Sequence, residues 1–288
     1  MKAPPFEYVR PASVADAVEA LAADADARVL AGGQSLVPLL ALRLARPSLL
    51  VDVGRLPCAE VQGDDDSVRI GALVRHRRLV DDPVVAREAP LLALAARHVG
   101  DAAVRNRGTL GGSLAHADPA AELPAALVAS RGAVTLESTR GTRELAASDV
   151  FEGFFVTGLA PGELLTEVTL PRAGPGTGSA FEEWAPRAAD FAVAGIAVSV
   201  HLADDGTCSD VGAAACGVGS VPLDLGDALA RAGVLGARAD DSLWRAVATE
   251  VQRACAGDDD RAELAGLLAA RAVRLAFVRA ASNTRVAA

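Results

Sequence analysis

Two short runs of this chain combine adjacent glycines with hydroxyl side chains: Ala31-Gly32-Gly33-Gln34-Ser35-Leu36 and Thr109-Leu110-Gly111-Gly112-Ser113. Glycine adopts positive φ without steric cost and lets backbone N–H groups come close to an anion. The first run follows an apolar, strand-like stretch at 28–31. It precedes a segment that reads as a helix, whose N-terminus adds partial positive charge. Gln34 or Ser35 could donate one more hydrogen bond there. The second run repeats the pattern, and its glycine pair can form a concave nest of N–H groups. Taken singly, each is equally a tight turn. Neither contains G-x-G-x-x-G or a lysine, so neither is a Rossmann fingerprint or a P-loop. One phosphate needs one nest, whereas a diphosphate held between two lobes uses both. The pair therefore predicts a dinucleotide lying between adjoining subdomains.

Other reactive groups are sparse. Lys2 is the only lysine, which excludes Schiff-base chemistry in the body of the chain. His116 and Asp118 resemble an acid–base pair, but no third ligand or nucleophile is spaced near them, and a structural role is expected. His76, His98 and His201 read as ordinary core or surface histidines. Arg75-His76-Arg77-Arg78 reads as a solvated basic face, or as a contact with a partner subunit. The cysteines (58, 208, 216 and 255) form no C-x-x-C, so reduced, mostly buried thiols are expected and no iron–sulfur cluster. No catalytic residue and no metal site is expected on this chain.

The elements that must position the two runs follow from periodicity. The 288 residues allow about two domains, and with 51% hydrophobic but only 3% aromatic residues the cores must be aliphatic. A first lobe, about 1–56, reads strand–helix–strand–helix–strand, with Ser13 and Asp16 opening a helix over 14–23. A second helix starts near Ser35, with Pro38 in its first turn, and a strand covers 49–53. A second lobe, 57–175, holds a strand at 68–73, one helix over 84–98, an aperiodic glycine-rich loop at 105–118, a helix at 121–130 and strands at 133–137 and 164–170. The Pro/Gly-rich run 171–178 ends this domain. Residues 176–288 then read as three antiparallel strands, at 179–185, 192–202 and 208–218, followed by helices at 242–255 and 261–281. Asp258, Asp259 and Asp260 read as the N-terminal cap of the last helix. Twenty-eight Lys+Arg against 37 Asp+Glu, a net charge of −9, argue against a nucleic-acid face. No apolar run approaches the roughly 20 residues of a membrane span, and no secretory leader is apparent. A cytoplasmic protein is expected.

Four stretches together resemble one family: AGGQSL, the run RNRGTLGGSLAHADPAAELP at 105–124, PGELLTEVTLP at 161–171 and RAADFA at 187–192. They are similar, in order and over nearly the whole chain, to the FAD-binding medium subunits of molybdenum hydroxylases of the carbon-monoxide-dehydrogenase and xanthine-dehydrogenase type. The resemblance implies an α+β chain. A two-lobed FAD domain of the vanillyl-alcohol oxidase and p-cresol methylhydroxylase type occupies 1–175, and a smaller α+β domain with a three-stranded antiparallel sheet follows at 176–288. It implies FAD as cofactor, with contacts at Val29, Leu30, Ala31, Gly32, Gly33, Gln34, Ser35 and Leu36, at Thr109, Leu110, Gly111, Gly112 and Ser113, and at Val99, Glu122, Leu165, Asp190 and Phe191. It implies an oxidoreductase role in electron transfer. Electrons would arrive from the [2Fe–2S] clusters of a small subunit, beside a molybdopterin-binding large subunit in a heterotrimer or its dimer. They would leave to NAD, a quinone or dioxygen. A stand-alone FAD-dependent oxidase or dehydrogenase and a flavin-free scaffold of the same fold are the alternatives. Four positions depart from the family pattern. Gln34 replaces a histidine, Glu122 an aspartate, Phe191 a tyrosine, and Glu183 a lysine near the flavin ring. Glu183 is expected to point to solvent, without a role; were it buried, Arg187 is the nearest candidate to offset its charge.

Overall fold

The computed structural model describes residues 2–255 and 259–287, so the expected cap at Asp258 lies outside the described residues. The chain opens with β1 (Glu7–Val9), α1 (Val14–Ala23), β2 (Arg28–Leu30), α2 (Leu36–Ala41) and β3 (Leu49–Asp52). The Ser13 hydroxyl accepts from Asp16 N, and the Asp16 carboxylate accepts from Ser13 N. That reciprocal pair fixes the start of α1. Ala17, Val18 and Leu21, on one face of α1, are buried with Val51 and Val53. The three strands pair in parallel in the order β1-β3-β2. All three therefore release the chain at the same edge of the sheet. Arg10 follows β1, the first glycine run follows β2, and Gly54 and Arg55 follow β3. In parallel sheets this carboxyl edge is where ligands bind.

The second lobe contains β4 (Val61–Gly63), β5 (Ser67–Gly71), α3 (His76–Asp81), α4 (Pro83–Glu88), α5 (Pro90–His98), α6 (Ala102–Arg107), α7 (Leu110–His116), α8 (Glu122–Ala129), β6 (Ala133–Ser138), β7 (Gly141–Ala146), α9 (Ala147–Val150), β8 (Phe151–Gly153), β9 (Val156–Thr157) and β10 (Leu164–Pro171). Its sheet runs antiparallel in the order β4-β5-β10-β6-β7. Two expectations change here. The single helix over 84–98 is broken at Ala89, which takes φ −131°, ψ 53°, because a proline at 90 disfavours helical backbone in the residue before it. The stretch 105–118 is largely helical rather than aperiodic. Asp101 caps α6, Thr109 caps α7, and Leu110 and Leu114 point one turn apart into the core. Burial of those two leucines outweighs the low helix propensity of Gly111 and Gly112.

The remainder is β11 (Thr177–Trp184), β12 (Ala194–Leu202), β13 (Cys208–Cys216), β14 (Leu223–Asp224), α10 (Gly226–Arg231), α11 (Asp241–Ala254) and α12 (Asp259–Ala287). The sheet is antiparallel, β11-β12-β13-β14. It has four strands where three are expected, because β14 is two residues long and too short to leave a period. Helix α12 packs on β11 and β12. From the second lobe, α5 packs on β11 and β12, and α8 on β12 and β13. One core accordingly runs from Ile70, Leu123 and Leu127 into Phe181, Ala197, Ala214 and Cys216. This packing brings the end of α5 to the end of β11. Among the described residues no helix is long and apolar enough to cross a membrane.

Candidate functional site

Gly33, at φ +75°, bends the first run out of β2. Among the described residues the backbone N–H groups of Gly32, Gly33, Gln34 and Ser35 have no acceptor, and Ser35 does not cap α2 with its side chain. Gln34 turns its amide back on its own loop, donating from Nε2 to Gly32 O at 3.3 Å. Residues 31–34 line a cleft of about 550 Å³, whose walls include Arg10, Asp52, Gly54, Arg55, Arg75 and Arg107. Asp52 is committed. It accepts from Arg10 at 2.8 Å, from Tyr8 Oη, and from Gly54 N at 2.9 Å. Arg75 donates to Arg107 O. The guanidinium groups of Arg55 and Arg107 make no ion pair or hydrogen bond among the described residues. Four arginines facing one paired carboxylate make this cleft electropositive in an acidic chain, and free amides beside them suit a doubly charged anion.

The second run reaches the same place in a different way. Its amides are already used: Leu110 N donates to Val74 O at 3.0 Å, Gly111 N to Ala72 O at 2.8 Å, Gly112 N to Thr109 Oγ1 at 3.2 Å and Ser113 N to Thr109 O at 3.0 Å. The glycines here serve close approach. A Cβ on Gly111 would stand 2.6 Å from that of Ala72, and one on Gly112 would stand 2.7 Å from Thr109 Oγ1 and 3.9 Å from Ala31 Cβ. Gly32 rests on Arg107 O and Gly108 in the same manner. The two runs therefore meet edge to edge. The first presents free N–H groups, and the second contributes the half-buried Ser113 hydroxyl and a closely fitted wall.

A separate cluster forms where α5, α8 and β11 converge. Glu183 is turned inward, with its side chain 13% exposed and Oε1 2.9 Å from His98 Nδ1. Its Oε2 is buried without a partner. This corrects two expectations: Glu183 does not point to solvent, and His98, not Arg187, offsets its charge. Glu122, the first residue of α8, is 7% exposed. Burial, reinforced by Glu183, pushes its carboxyl up to about 7. The ion pair with Glu183 raises His98. Val99 ends α5, and its carbonyl accepts from Arg105 at 3.0 Å. Leu165 lies in β10, buried in the core that holds Leu110 and Leu114. Asp190 and Phe191 lie on the connection between β11 and β12, and Phe191 is 70% exposed. His116 stacks at 5.0 Å on Phe155, and Asp118 caps its own turn through Ala120 N. The structural role expected for this pair fits those contacts. The run 75–78 is divided: Arg75 lines the cleft, His76 is buried, and Arg77 and Arg78 pair with Asp81 and Asp82.

Sequence reasoning missed Arg10, Asp52, Arg55 and Arg107 as cleft residues. The signal was present in part: Arg10 directly follows β1, Asp52 ends β3 and Arg55 comes shortly after it, and these strands prove parallel.

A protein-family model described as "FAD binding domain in molybdopterin dehydrogenase" matches residues 4–173. The chain is 44% identical over 225 residues to the 6-hydroxypseudooxynicotine dehydrogenase complex subunit alpha of Paenarthrobacter nicotinovorans, covering 77% of this chain and 76% of that one. It is 35% identical to the carbon monoxide dehydrogenase medium chain of Hydrogenophaga pseudoflava, covering 96% and 99%. A solved carbon monoxide dehydrogenase from the same organism, which lacks the Mo-pyranopterin moiety of the molybdenum cofactor, superposes with a TM-score of 0.92. That match is 35% identical and covers 97% of this chain and 99% of the other.

Proposed function

The chain belongs to the family of FAD-binding domains of molybdopterin dehydrogenases, and from that premise we propose that the cleft at the carboxyl edge of the β1-β3-β2 sheet receives the diphosphate of FAD. The observation that carries this is the row of N–H groups at Gly32, Gly33, Gln34 and Ser35, which among the described residues have no acceptors, beside Arg55 and Arg107, whose guanidinium groups have no partner there. Those groups hold the two phosphates, Ser113 adds a hydroxyl, and Ala31 and Gly112 close the seam. Val99, Glu122, Leu165, Asp190 and Phe191 are the residues that would hold the flavin half. Bound FAD supplies a carrier that takes up and releases electrons. The protein's part is to bind and orient it, so no acid, base or nucleophile is required of the chain.

The chain is the FAD-binding, electron-transferring subunit of a molybdenum-hydroxylase type of oxidoreductase. Its partners are a molybdopterin-binding large subunit and a [2Fe–2S] small subunit in a heterotrimer, a reading supported by relatives named as the subunit or medium chain of a complex. The complex works in the cytoplasm and delivers electrons to NAD, a quinone or dioxygen. The FAD-binding unit is 1–175 and the C-terminal unit 176–288, divided within the Pro/Gly-rich run.

The test is titration of the flavin-free chain with FAD, followed by flavin absorbance. One FAD per chain is expected, unreduced by organic substrates until the partner subunits are added. Reduction by an organic substrate with this chain alone would make it a self-sufficient dehydrogenase or oxidase, and a colourless protein at saturating FAD would make it a scaffold. Arg55→Ala and Arg107→Ala are each expected to raise the FAD Kd about tenfold at low salt, one charge-assisted hydrogen bond being worth roughly that much. The effect should shrink towards about 1 M salt as screening replaces the lost attraction. Fluorescence titration at the two ionic strengths reads both.

A further inference from the structure

We propose that His76 is a positioning residue of the cofactor cleft: its imidazole is the strut that sets the second glycine run against the first. This rests on the FAD reading of the cleft. His76 begins α3, is buried, and does not line the cleft itself. Its ring lies with Nε2 2.9 Å from Thr109 O. A carbonyl only accepts, so Nε2 carries the proton. Nδ1 is buried and without a partner, so it stays a bare lone pair and the ring is a single neutral tautomer. The backbone of the same residue grips the same place, His76 N donating to Gly108 O at 3.0 Å.

No slack exists between this residue and the cleft. A Cβ on Gly108 would stand 2.7 Å from both Cε1 and Nδ1 of the ring, and a Cβ on Gly32 would stand 2.9 Å from Gly108 Cα. Ring, Gly108 and Gly32 are thus a continuous stack of close contacts, with Ala31 and Gly112 side by side at its edge. The charged groups acting on the ring are the cationic Arg75 and Arg105. Burial, reinforced by these two charges, holds its pKa down to about 4. The strut keeps one protonation state over the working range and so acts as a fixed spacer.

Two amide variants separate this from a general contribution to folding. In His76→Gln the side-chain N–H reaches as far as Nε2, and in His76→Asn it stops near Nδ1. By FAD titration of the flavin-free full chain, Gln is expected to keep Kd within about threefold of the parent, while Asn and His76→Met raise it about tenfold or more, the worth of one hydrogen bond. Variants that melt lower yet bind FAD with unchanged Kd would overturn the proposal. A second measurement holds if Asn and Met do not fold. In the parent chain, the ¹⁵N-imidazole signal of His76 is expected as an Nε2–H species that shifts when FAD is added. An Nδ1–H species, or a signal that FAD leaves in place, overturns it. Failure of the parent to bind FAD at all would instead sink the reading of the cleft.

Discussion

Alanine at position 32 will leave a folded protein that purifies without flavin. The methyl group would collide with Arg107 O and stand 2.9 Å from Gly108 Cα. Both are backbone atoms, so no rotamer change relieves the clash; the first run must lift off the second. Overpacking of this kind costs about 1–3 kcal/mol, which a domain of ordinary stability of about 5–15 kcal/mol survives. The cofactor does not survive it, because lifting the run moves the four free N–H groups together and opens the seam between Ala31 and Gly112. A loss of FAD affinity of at least about 100-fold is expected, equivalent to two or more well-aimed hydrogen bonds to a charged group. Gly33→Ala is the milder comparison. There the strain is the left-handed backbone, and the nearest atom is the end of a side chain, Val37 Cγ2 at 3.1 Å. The flavin-to-protein absorbance ratio and the far-UV spectrum check the prediction, and a Gly32→Ala protein that keeps nearly one FAD per chain would refute it.

Why Gly32 is legible in the sequence and Arg55 is not is a matter of range. A glycine pair between a strand pattern and a helix pattern is a local signal, and both runs stand out by it. The capping box at Ser13 and Asp16 is local too, as is the i,i+4 spacing that buries Val14's neighbours in α1. Arg10, Asp52 and Arg55 carry no pattern of their own. They become cleft residues only because β1, β3 and β2 pair in parallel, a fact about three segments far apart in the chain. The break at Pro90 is readable, since a proline inside an apolar helical run is a local warning; the apolar periodicity on either side masks it. The distinction between the two glycine runs is not readable at all. Both have the composition of an N–H nest, yet the amides of the second are consumed by Ala72, Val74 and Thr109, and only the pairing of 72–76 with 108–111 decides that. Glu183 is hidden for the same reason: its burial depends on α5 ending against β11.

That buried cluster leads to the second large effect: Glu122→Gln is expected to stabilise the flavin-free protein at pH 8 and to change little at pH 5. Glu122 has its pKa raised from 4.5 to about 7. The folded state therefore holds a proton that the unfolded state releases, and the stability associated with it is complete below about pH 4.5 and lost as pH rises through 7. His98, raised by Glu183, acts in the same direction, its contribution being present below 6.5 and lost as pH climbs through its raised value. Towards acid pH the cluster is a neutral Glu122 beside the His98–Glu183 pair, and as pH rises Glu122 gains a charge while His98 tends to lose its proton; Glu183 Oε2 is buried without a partner among the described residues. A tenfold change in proton affinity is worth about 1.4 kcal/mol, so ionising Glu122 in the folded protein costs at most about 3.5 kcal/mol. After local relaxation about 2 kcal/mol of that is expected to remain. Glutamine removes the charge and keeps the shape, so the gain should be a rise of a few degrees in Tm at pH 8, most of it gone at pH 5. His98→Gln is expected to act at the other end of the range, lowering Tm at pH 5, because it removes the proton-bearing partner of Glu183. A Glu122→Gln increment equal at pH 5 and pH 8 would mean that Glu122 is ionised throughout, and that the cluster is not short of a cation.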